Sequence, residues 1–367
     1  MGQSAFEVSP VLKIETGGTR ADGMSVRGMT GRERVLAVLG GEKADRLALM
    51  PITMMFAADI LGAKYGSYAR DYRVMVDAQV KTAERFGFDH VSTIGPPGPE
   101  AADLGAKIQW YEDQPPAMVE AESLFADKRT FAAAQERGHV HGERVENRVR
   151  ALELLRERVG DELLIEGWLS GPCAEAADLR GINRLMLDFT DDPSFVRDLF
   201  DFTLEGAIRF AEVQIEAGAD VLGVGDAAAS LLGPRIYKEF VWPWEKRLVE
   251  AIHAMGGRVR LHICGSTQKI LIGMGALECD VVDIDFPVAL DEARGQMGPQ
   301  QVLAGNLDPV RELRNGTPET VTRALEALHA KAGARWIVAP GCEVVRDTPH
   351  ENVMAMSEFA RGHAAAC

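Results

Sequence analysis

Short apolar runs alternate with longer amphipathic segments along most of this chain. Eight apolar runs predict buried β-strands, at residues 47–52, 90–94, 163–168, 221–225, 259–263, 281–284, 302–304 and 336–339. Between most of them, apolar residues recur at helical spacing, at residues 74–86, 193–216, 236–255, 268–277 and 318–330. Strands that alternate with helices form a parallel sheet, because a parallel connection needs a crossover.

Eight strand–helix units predict a closed (β/α)8 barrel, the TIM barrel of the α/β class. The alternative is an open doubly wound sheet. We favour the barrel partly because no Gly-x-Gly-x-x-Gly sequence follows the first predicted strand. A chain of 367 residues is long for one domain, but α/β barrels reach this length as single units.

Residues 95–162 separate the second and third predicted strands, which is too long for an ordinary connection. Within them, segments 107–111 and 117–121 predict a β-hairpin, because Gln114-Pro115-Pro116 lies between them. Residues 131–159 then predict a helix. We interpret this interval as an insertion that helps to roof the barrel, not as a second domain.

The N-terminal segment differs in pattern from the rest of the chain. Residues 1–28 are polar, glycine-rich and without periodicity, which predicts a loose arm before a barrel domain at residues 29–363. Thr30, with Glu33 three residues later, predicts the capped start of a helix, and Gly40-Gly41 predicts its end.

The composition, with 46% apolar and 26% charged residues, is typical of a soluble globular enzyme. No apolar run approaches the roughly 18 residues of a membrane helix, and residues 1–26 lack the pattern of a signal peptide. The net charge of −15 argues against nucleic acid as a partner, because its phosphates would be repelled. Five cysteines, an odd number, argue against a disulfide framework and predict the cytoplasm, a reducing compartment.

A histidine and a cysteine stand two residues apart where the fifth predicted strand ends. Side chains at i and i+2 of a strand point the same way, so His262 and Cys264 can face one point. Cys342, beside Gly341, lies at the end of the eighth strand. A lone histidine near a cysteine is more often packing than chemistry. A second strand end with a cysteine beside a glycine favours a metal. One histidine and two cysteines match a catalytic zinc site with an open fourth position.

Other strand ends carry carboxylates and an amide. The fourth strand ends in Asp226, the sixth runs into Asp283 and Asp285, and the seventh is followed by Asn306. Taken alone, Asp226 and Asn306 are better explained as caps, because Asp and Asn are common in turns. Their joint placement at the carboxyl end of a barrel favours a site. We predict that Asp226 is a fourth ligand or a base near the metal, ahead of Glu343, and that Asn306 and Asp285 shape the pocket.

A sulfur-rich ligand set makes zinc a mild Lewis acid. It suits binding a thiol and holding it as a thiolate at neutral pH, because a coordinated thiol loses its proton. Such a sulfur can attack an electrophilic carbon, for example a methyl group. Polarising an ether oxygen is the other use of such a metal.

Four segments at the strand ends resemble a known family. They are Gly233-Pro234-Arg235, His262-Ile263-Cys264-Gly265, Gly305-Asn306-Leu307-Asp308-Pro309 and Ala339-Pro340-Gly341-Cys342-Glu343. They are similar to the corrinoid-dependent methyltransferases of the uroporphyrinogen decarboxylase superfamily, a resemblance that covers about residues 30–361. It implies a (β/α)8 barrel and a zinc held by His262, Cys264 and Cys342. It also implies a partner, a small corrinoid (cobalamin) protein whose cobalt carries the methyl group.

The namesake of the superfamily is a metal-free decarboxylase with an arginine-rich loop after its first strand. Here residues 51–58 are apolar and contain no arginine to hold the carboxylates of a tetrapyrrole. We therefore interpret the chain as a zinc-dependent methyltransferase acting between a corrinoid protein and a thiol, or a methyl donor such as an aryl methyl ether. The alternatives are a uroporphyrinogen decarboxylase-type lyase and a non-catalytic binder of a tetrapyrrole or corrinoid.

Overall fold

The computed structural model describes residues 17–19, 25–96 and 98–365. Eight parallel strands form the central sheet: β1 Ala48–Leu49, β2 His90–Ser92, β3 Leu164–Ser170, β4 Val221–Gly225, β5 Val259–His262, β6 Val281–Ile284, β7 Val302–Gly305 and β8 Trp336–Val338. Each strand pairs with the next in sequence from β2 to β8, and β8 pairs with β1. The backbone N–H of Asp89 donates to the carbonyl of Leu49 at 3.0 Å, which joins the ends of β1 and β2. The predicted (β/α)8 barrel is thus confirmed.

Helices surround the barrel and connect its strands. They are α1 Gly31–Gly40, α2 Met55–Leu61, α3 Tyr65–Arg70, α4 Tyr72–Phe86, α5 Pro99–Leu104, α6 Arg129–Arg137, α7 Glu143–Val159, α8 Pro172–Arg180, α9 Ile182–Asp191, α10 Pro193–Glu216, α11 Pro234–Ile236, α12 Trp242–Ala254, α13 Leu271–Gly275, α14 Leu290–Met297, α15 Pro318–Ala332 and α16 His350–Gly362. Short 3₁₀ turns lie at Glu120–Glu122 and Ala227–Leu231, and π-helical turns at Tyr237–Val241 and Pro309–Arg314. The strands are buried on both faces, as expected where helices cover a parallel sheet.

The insertion after β2 contains the predicted hairpin, in which Ile108–Gln109 pairs antiparallel with Ala117–Met118. The single helix predicted at residues 131–159 is wrong, because two helices, α6 and α7, occupy that stretch. Gly138 ends α6 with a φ of 71°. The Asp103 carboxylate then accepts hydrogen bonds from the first backbone amides of α7, so the second helix has its own cap.

The predicted start of the first helix is confirmed. Thr30 and Glu33 form a capping box, and Gly41 ends α1 in the left-handed region at φ 75°. The predicted arm at residues 1–28 lies largely outside the described residues, and its described part includes a short antiparallel pair, Gly17–Thr19 with Ser25–Arg27. Within the described ranges, no helix has the length and apolar character needed to cross a bilayer. The loose arm, the domain boundary at residue 29 and the cytoplasmic location stay predictions.

Candidate metal site

Two strand ends bring a histidine and two cysteines together at the carboxyl end of the barrel. His262 is the last residue of β5, and its Nε2 lies 2.9 Å from the Sγ of Cys264. Cys342 follows β8, and its Sγ lies 3.7 Å from that of Cys264 and 3.8 Å from His262 Nε2. The structure therefore brings together the three predicted metal ligands. Of the described residues, only these three form such a histidine, cysteine and carboxylate group, with all ligand atoms within 4.8 Å.

Two glycines allow the cysteine loops to approach each other. Gly265 follows Cys264 with a φ of 87°, which turns the chain away from the strand. A Cβ on Gly341 would lie 2.4 Å from the backbone nitrogen of Phe286 and 2.8 Å from Oδ1 of Asp285. No larger residue fits at 341 without displacing the loop after β6. The glycine beside each cysteine thus reflects the close packing of three strand ends.

A buried chain of charges fixes the orientation of the His262 ring. The ring nitrogen Nδ1 lies 2.9 Å from Oδ2 of Asp283 on the neighbouring strand β6. A carboxylate only accepts hydrogen bonds, so Nδ1 carries the proton and Nε2 faces the cysteines. Asp283 is itself held by Nε of Arg260 at 2.9 Å, and Arg260 also reaches Oε1 of Glu166 at 3.2 Å. All of these side chains lie inside the barrel.

Arg260 and Glu166 were missed by the sequence reasoning, and Asp283 was noticed without a role. The missed signal is a charged residue inside an apolar strand: Arg260 lies in the middle of β5 and is 1% exposed. Charged side chains are almost never fully buried unless they are paired. An arginine two residues before the candidate histidine would therefore have predicted a buried carboxylate partner.

The three ligand side chains share protons and charge. Burial lowers the pKa of His262, but hydrogen bonds to Asp283 and Cys342 outweigh it and raise the pKa to about 10. The hydrogen bond from Cys264 lowers the pKa of the Cys342 thiol to about 4, with a further contribution from His262. The same hydrogen bond, together with burial, raises the pKa of Cys264. The metal-free cluster therefore favours an imidazolium beside a Cys342 thiolate.

The spacing of the three ligand atoms fits a tetrahedral zinc ion. Zn–S bonds of about 2.3 Å and Zn–N bonds of about 2.0–2.1 Å place two sulfurs about 3.8 Å apart and a nitrogen about 3.6 Å from a sulfur. The observed Sγ–Sγ distance of 3.7 Å and the Nε2–Sγ distance of 3.8 Å to Cys342 agree with these values. The Nε2–Sγ distance to Cys264, 2.9 Å, is shorter and is that of a hydrogen bond.

Asp285 and Asn306 tie the loops of this site together. Oδ2 of Asp285 accepts a hydrogen bond of 2.6 Å from the backbone N–H of Gly265, next to Cys264. Nδ2 of Asn306 lies within 3.2 Å of three carbonyl oxygens of the segment after β6, those of Ile284, Asp285 and Val288. Both side chains thus lie at the site and contact backbone groups. Their predicted role in shaping the pocket stays a prediction.

The two other predicted carboxylates, Asp226 and Glu343, are not members of the cluster and bind backbone amides instead. Asp226 is fully buried and accepts hydrogen bonds from the backbone N–H groups of Cys173, at 3.3 Å, and Ala174, at 2.6 Å, at the start of α8. Burial raises the pKa of Asp226 to about 7, and burial, together with the charge of Asp226, raises the pKa of the Glu245 carboxyl. Oε1 of Glu343 accepts from the first backbone N–H of α2, at 3.0 Å.

Comparisons with known proteins agree with this architecture. Residues 30–363 match the family described as uroporphyrinogen decarboxylase (URO-D). Methylcobamide:CoM methyltransferase MtbA of Methanosarcina acetivorans is 28% identical over 344 residues, covering 91% of this chain and 98% of that protein. MtbA of Methanosarcina mazei is 33% identical over 218 residues, covering 59% of this chain and 63%, less than two thirds, of that protein.

The fold is also found among solved structures. A methyltransferase from Methanosarcina mazei superposes with a TM-score of 0.79 at 21% identity, covering 91% of this chain and 99% of that one. The match confirms the barrel. The full-length sequence relatives are transferases, in agreement with the predicted enzyme class. The chain belongs to the uroporphyrinogen decarboxylase (URO-D) family, and relatives that match it over most of its length are methylcobamide:CoM methyltransferases.

Proposed function

We propose that this protein is a zinc-dependent methyltransferase that moves a methyl group from the cobalt of a corrinoid protein to a thiol. The observation that carries the proposal is the cluster of His262 Nε2, Cys264 Sγ and Cys342 Sγ within 4.8 Å at the carboxyl end of the barrel. The names of the full-length relatives, methylcobamide:CoM methyltransferases, support the choice of corrinoid and thiol.

His262, Cys264 and Cys342 would hold the zinc, and Asp283 would keep Nε2 of His262 turned toward it. Zinc would supply a Lewis acid that lowers the pKa of an incoming thiol, leaving a nucleophilic thiolate at neutral pH. Asp285 would hold the Cys264 loop in place through the N–H of Gly265. Asn306 would hold the segment that carries Asp285.

The methyl transfer itself balances without any redox partner. The thiol would release its proton to solvent, a sulfur–carbon bond would form, and the cobalt–carbon bond would break with its electron pair left on cobalt. Residues 51–58 are buried except for Met54 and Met55, which are half-buried and would be the apolar side chains available to the corrin face. In the opposite direction, a methyl donor such as an aryl methyl ether would methylate cobalt(I) at the same site.

The predicted role of Asp226 as a fourth ligand or base near the metal competes with a structural role, which its observed contacts favour. To act at the metal, its carboxylate must release the backbone amides of Cys173 and Ala174.

Zinc content and methyl transfer test the proposal together. We expect about one zinc per chain, and we expect Cys264→Ala and Cys342→Ala to lose it, with Cys279→Ala, a buried cysteine elsewhere, as the control. Absorbance spectra would follow demethylation of methylcobalamin by a panel of thiols that includes CoM. Methylation of cob(I)alamin by methoxyarenes would test the opposite direction. Full zinc content in both cysteine variants would place the metal elsewhere and overturn the proposal.

The decarboxylase alternative has a direct test of its own. Residues 51–58, which follow β1, carry no arginine to pair with the carboxylates of uroporphyrinogen. We expect no coproporphyrinogen by chromatography after incubation with uroporphyrinogen. Its appearance would return the chain to the decarboxylase branch of the family.

A further inference from the structure

A narrow cleft lies beside the inserted hairpin, on the carboxyl-end side of the barrel, where Trp110 meets the start of α7. Its polar lining consists of Arg144, Asn147 and Arg148 from α7, and Trp110 forms one wall. We call the cleft that these four residues line the rim cleft. They are separate from the metal ligands, and they give the cleft two positive charges in a protein whose net charge is −15.

Arg148 is buried, and no carboxylate of the described residues lies within ion-pair distance of it, although the more distant Glu100 interacts with it electrostatically. Four arginine side chains are buried in the described part of the chain, and three of them, Arg34, Arg180 and Arg260, form ion pairs with carboxylates. Arg148 is 4% exposed, and among the described residues its only hydrogen-bond partner is the thioether sulfur of Met75, at 3.0 Å. A thioether is a weak acceptor, so most of the hydrogen-bonding capacity of this guanidinium is unused.

The neighbours of Arg148 in the rim cleft also have unused polar atoms. Nη1 of Arg144 is buried and has no hydrogen-bond partner in the described part of the molecule, whereas Nη2 of the same guanidinium donates to Oε1 of Glu143 at 3.0 Å. Oδ1 of Asn147 is also buried and unpaired, but it is an acceptor and needs a donor, not an anion. Native proteins leave few buried polar groups unsatisfied, because each loses its bonds to water on burial. The Trp110 ring lies between the guanidinium groups of Arg70, at 5.7 Å, and Arg144, at 5.3 Å, which gives the cleft a flat wall.

A glycine makes room for the Arg148 guanidinium. A Cβ on Gly95 would lie 2.0 Å from Nη2 of Arg148, so only glycine permits the observed position of the group. Gly95 follows β2, and the hydroxyl of Tyr68 donates to the carbonyl of the preceding residue, Ile94, at 2.8 Å. The unpaired charge is thus held in a rigid place, on the end of the barrel where the metal site lies.

We propose that the rim cleft binds an oxyanion group, a carboxylate, sulfonate or phosphate, of a small molecule. Guanidinium groups bind such anions through pairs of parallel hydrogen bonds, and two of them with unused donors line the same cleft. The oxyanion comes either from the acidic end of the thiol that accepts the methyl group or from a free anion such as inorganic phosphate. The first source rests on the proposed function, and the second does not.

Thermal unfolding of the metal-loaded protein tests the anion site without any methyl transfer. Methanesulfonate, acetate and inorganic phosphate would be titrated against sodium chloride at matched ionic strength. We expect at least one of them to raise the Tm saturably, because a ligand that binds only the folded state stabilises it. Arg148→Met should abolish this shift and raise the Tm of the anion-free protein, since it removes an unpaired buried charge.

Two further variants complete the test. Gly95→Ala keeps the charge but occupies the place of the guanidinium, so it should also lose the anion-dependent shift. Arg150→Met, an exposed arginine on the same helix, should keep it. Absence of a saturable shift in the unmodified protein, or the same shift in Arg148→Met, would overturn the proposal.

Kinetics identifies the source of the anion. If it belongs to the thiol, Arg148→Met should raise the KM for mercaptoethanesulfonate by about tenfold and leave that for neutral mercaptoethanol unchanged. Equal KM values in both proteins, with the thermal shift still lost in the variant, would support a free anion as the ligand and overturn the thiol as its source. Failure of the proposed function would appear as absent methyl transfer with both thiols and would leave the thermal result standing.

Discussion

The orientation of His262 depends on charges that lie deeper in the barrel. Asp283 accepts from its Nδ1 and is held by Arg260, so the ring has one orientation before any metal binds, and Nε2 is the nitrogen that would give up its proton to a metal. A histidine ligand whose second nitrogen meets a carboxylate is a more basic ligand and loses less freedom on binding metal. The affinity of the metal site should therefore depend on residues that never touch the metal.

Asp283→Asn should weaken zinc binding while leaving all three ligands in place. The asparagine retains an acceptor for Nδ1 but loses the charge that pairs with Arg260, so we expect a zinc dissociation constant about 10- to 100-fold higher. Competition with a chromophoric chelator measures it. Asp291→Asn, an exposed aspartate on α14, is the matched control. An unchanged affinity would show that Asp283 only neutralises Arg260.

Asp226→Asn separates a structural role from a chemical one. The observed contacts of Asp226 are with the first amides of α8, so we expect the free energy of unfolding to fall by about 1 kcal/mol and the methyl-transfer rate to change little. Asp198→Asn, an exposed change on α10, is the control. A rate about 10²-fold lower at an unchanged Tm would instead assign Asp226 to the metal or the substrate, as predicted from the sequence.

At the scale of elements, the site depends on three loops that follow β5, β6 and β8. The β6 loop lies between the other two: Asp285 accepts from the β5 loop, and Gly341 of the β8 loop packs against the Asp285 side chain. Asn306, after β7, holds the β6 loop through three carbonyl oxygens. The relative position of Cys264 and Cys342 is thus set by side chains that follow other strands.

Asn306→Ala tests whether this clamp positions the cysteines. Three buried carbonyl oxygens would lose a donor, so we expect a loss of about 2–3 kcal/mol in the free energy of unfolding from urea titrations. Zinc affinity should fall as well, since the Asp285 segment is released. Asn315→Ala, an exposed asparagine just before α15, should show neither effect. Loss of stability with normal zinc affinity would limit Asn306 to a structural role.

The sequence predicted those parts of the structure that repeat a local pattern. Apolar runs located all eight strands, and β4 and β6 have the predicted ends, because buried parallel strands are continuous apolar segments. The break between α6 and α7 was not predicted, since it depends on Asp103, a residue far away in sequence that caps α7. Local periodicity cannot predict a contact between residues that are far apart in sequence.

The same limit applies to the site. His262, Cys264 and Cys342 could be predicted because one residue spacing and one repeated Gly-Cys strand end bring them together. Arg260 pairs with Asp283 across adjacent strands. The register of these two strands, and hence the pairing, could not be predicted from the sequence. The unpaired Arg148 of the rim cleft is evident only when burial and partners are known together.

At the scale of the whole molecule, the metal would act as a cross-link between strands. Its ligands follow β5 and β8, so a bound ion would connect parts of the barrel that lie on either side of β6 and β7. An unfolded chain would not hold three such distant ligands near one point. Metal binding should therefore stabilise the folded barrel as a whole and not only its carboxyl end.

Removal of zinc should lower the melting temperature of the entire barrel in a single transition. A ligand present at 100 times its dissociation constant adds about 2.7 kcal/mol of stability, which corresponds to roughly 3–4 °C in a protein of this size. Calorimetry with and without a chelator measures the shift. The double variant Cys264→Ser/Cys342→Ser should be insensitive to the chelator, and Cys279→Ala should retain the full shift, since Cys279 lies outside the cluster. If the protein lost its zinc and kept its Tm, the metal would not cross-link the strands, and the ligand set would already be fixed by Asp283, Asp285 and Asn306 alone.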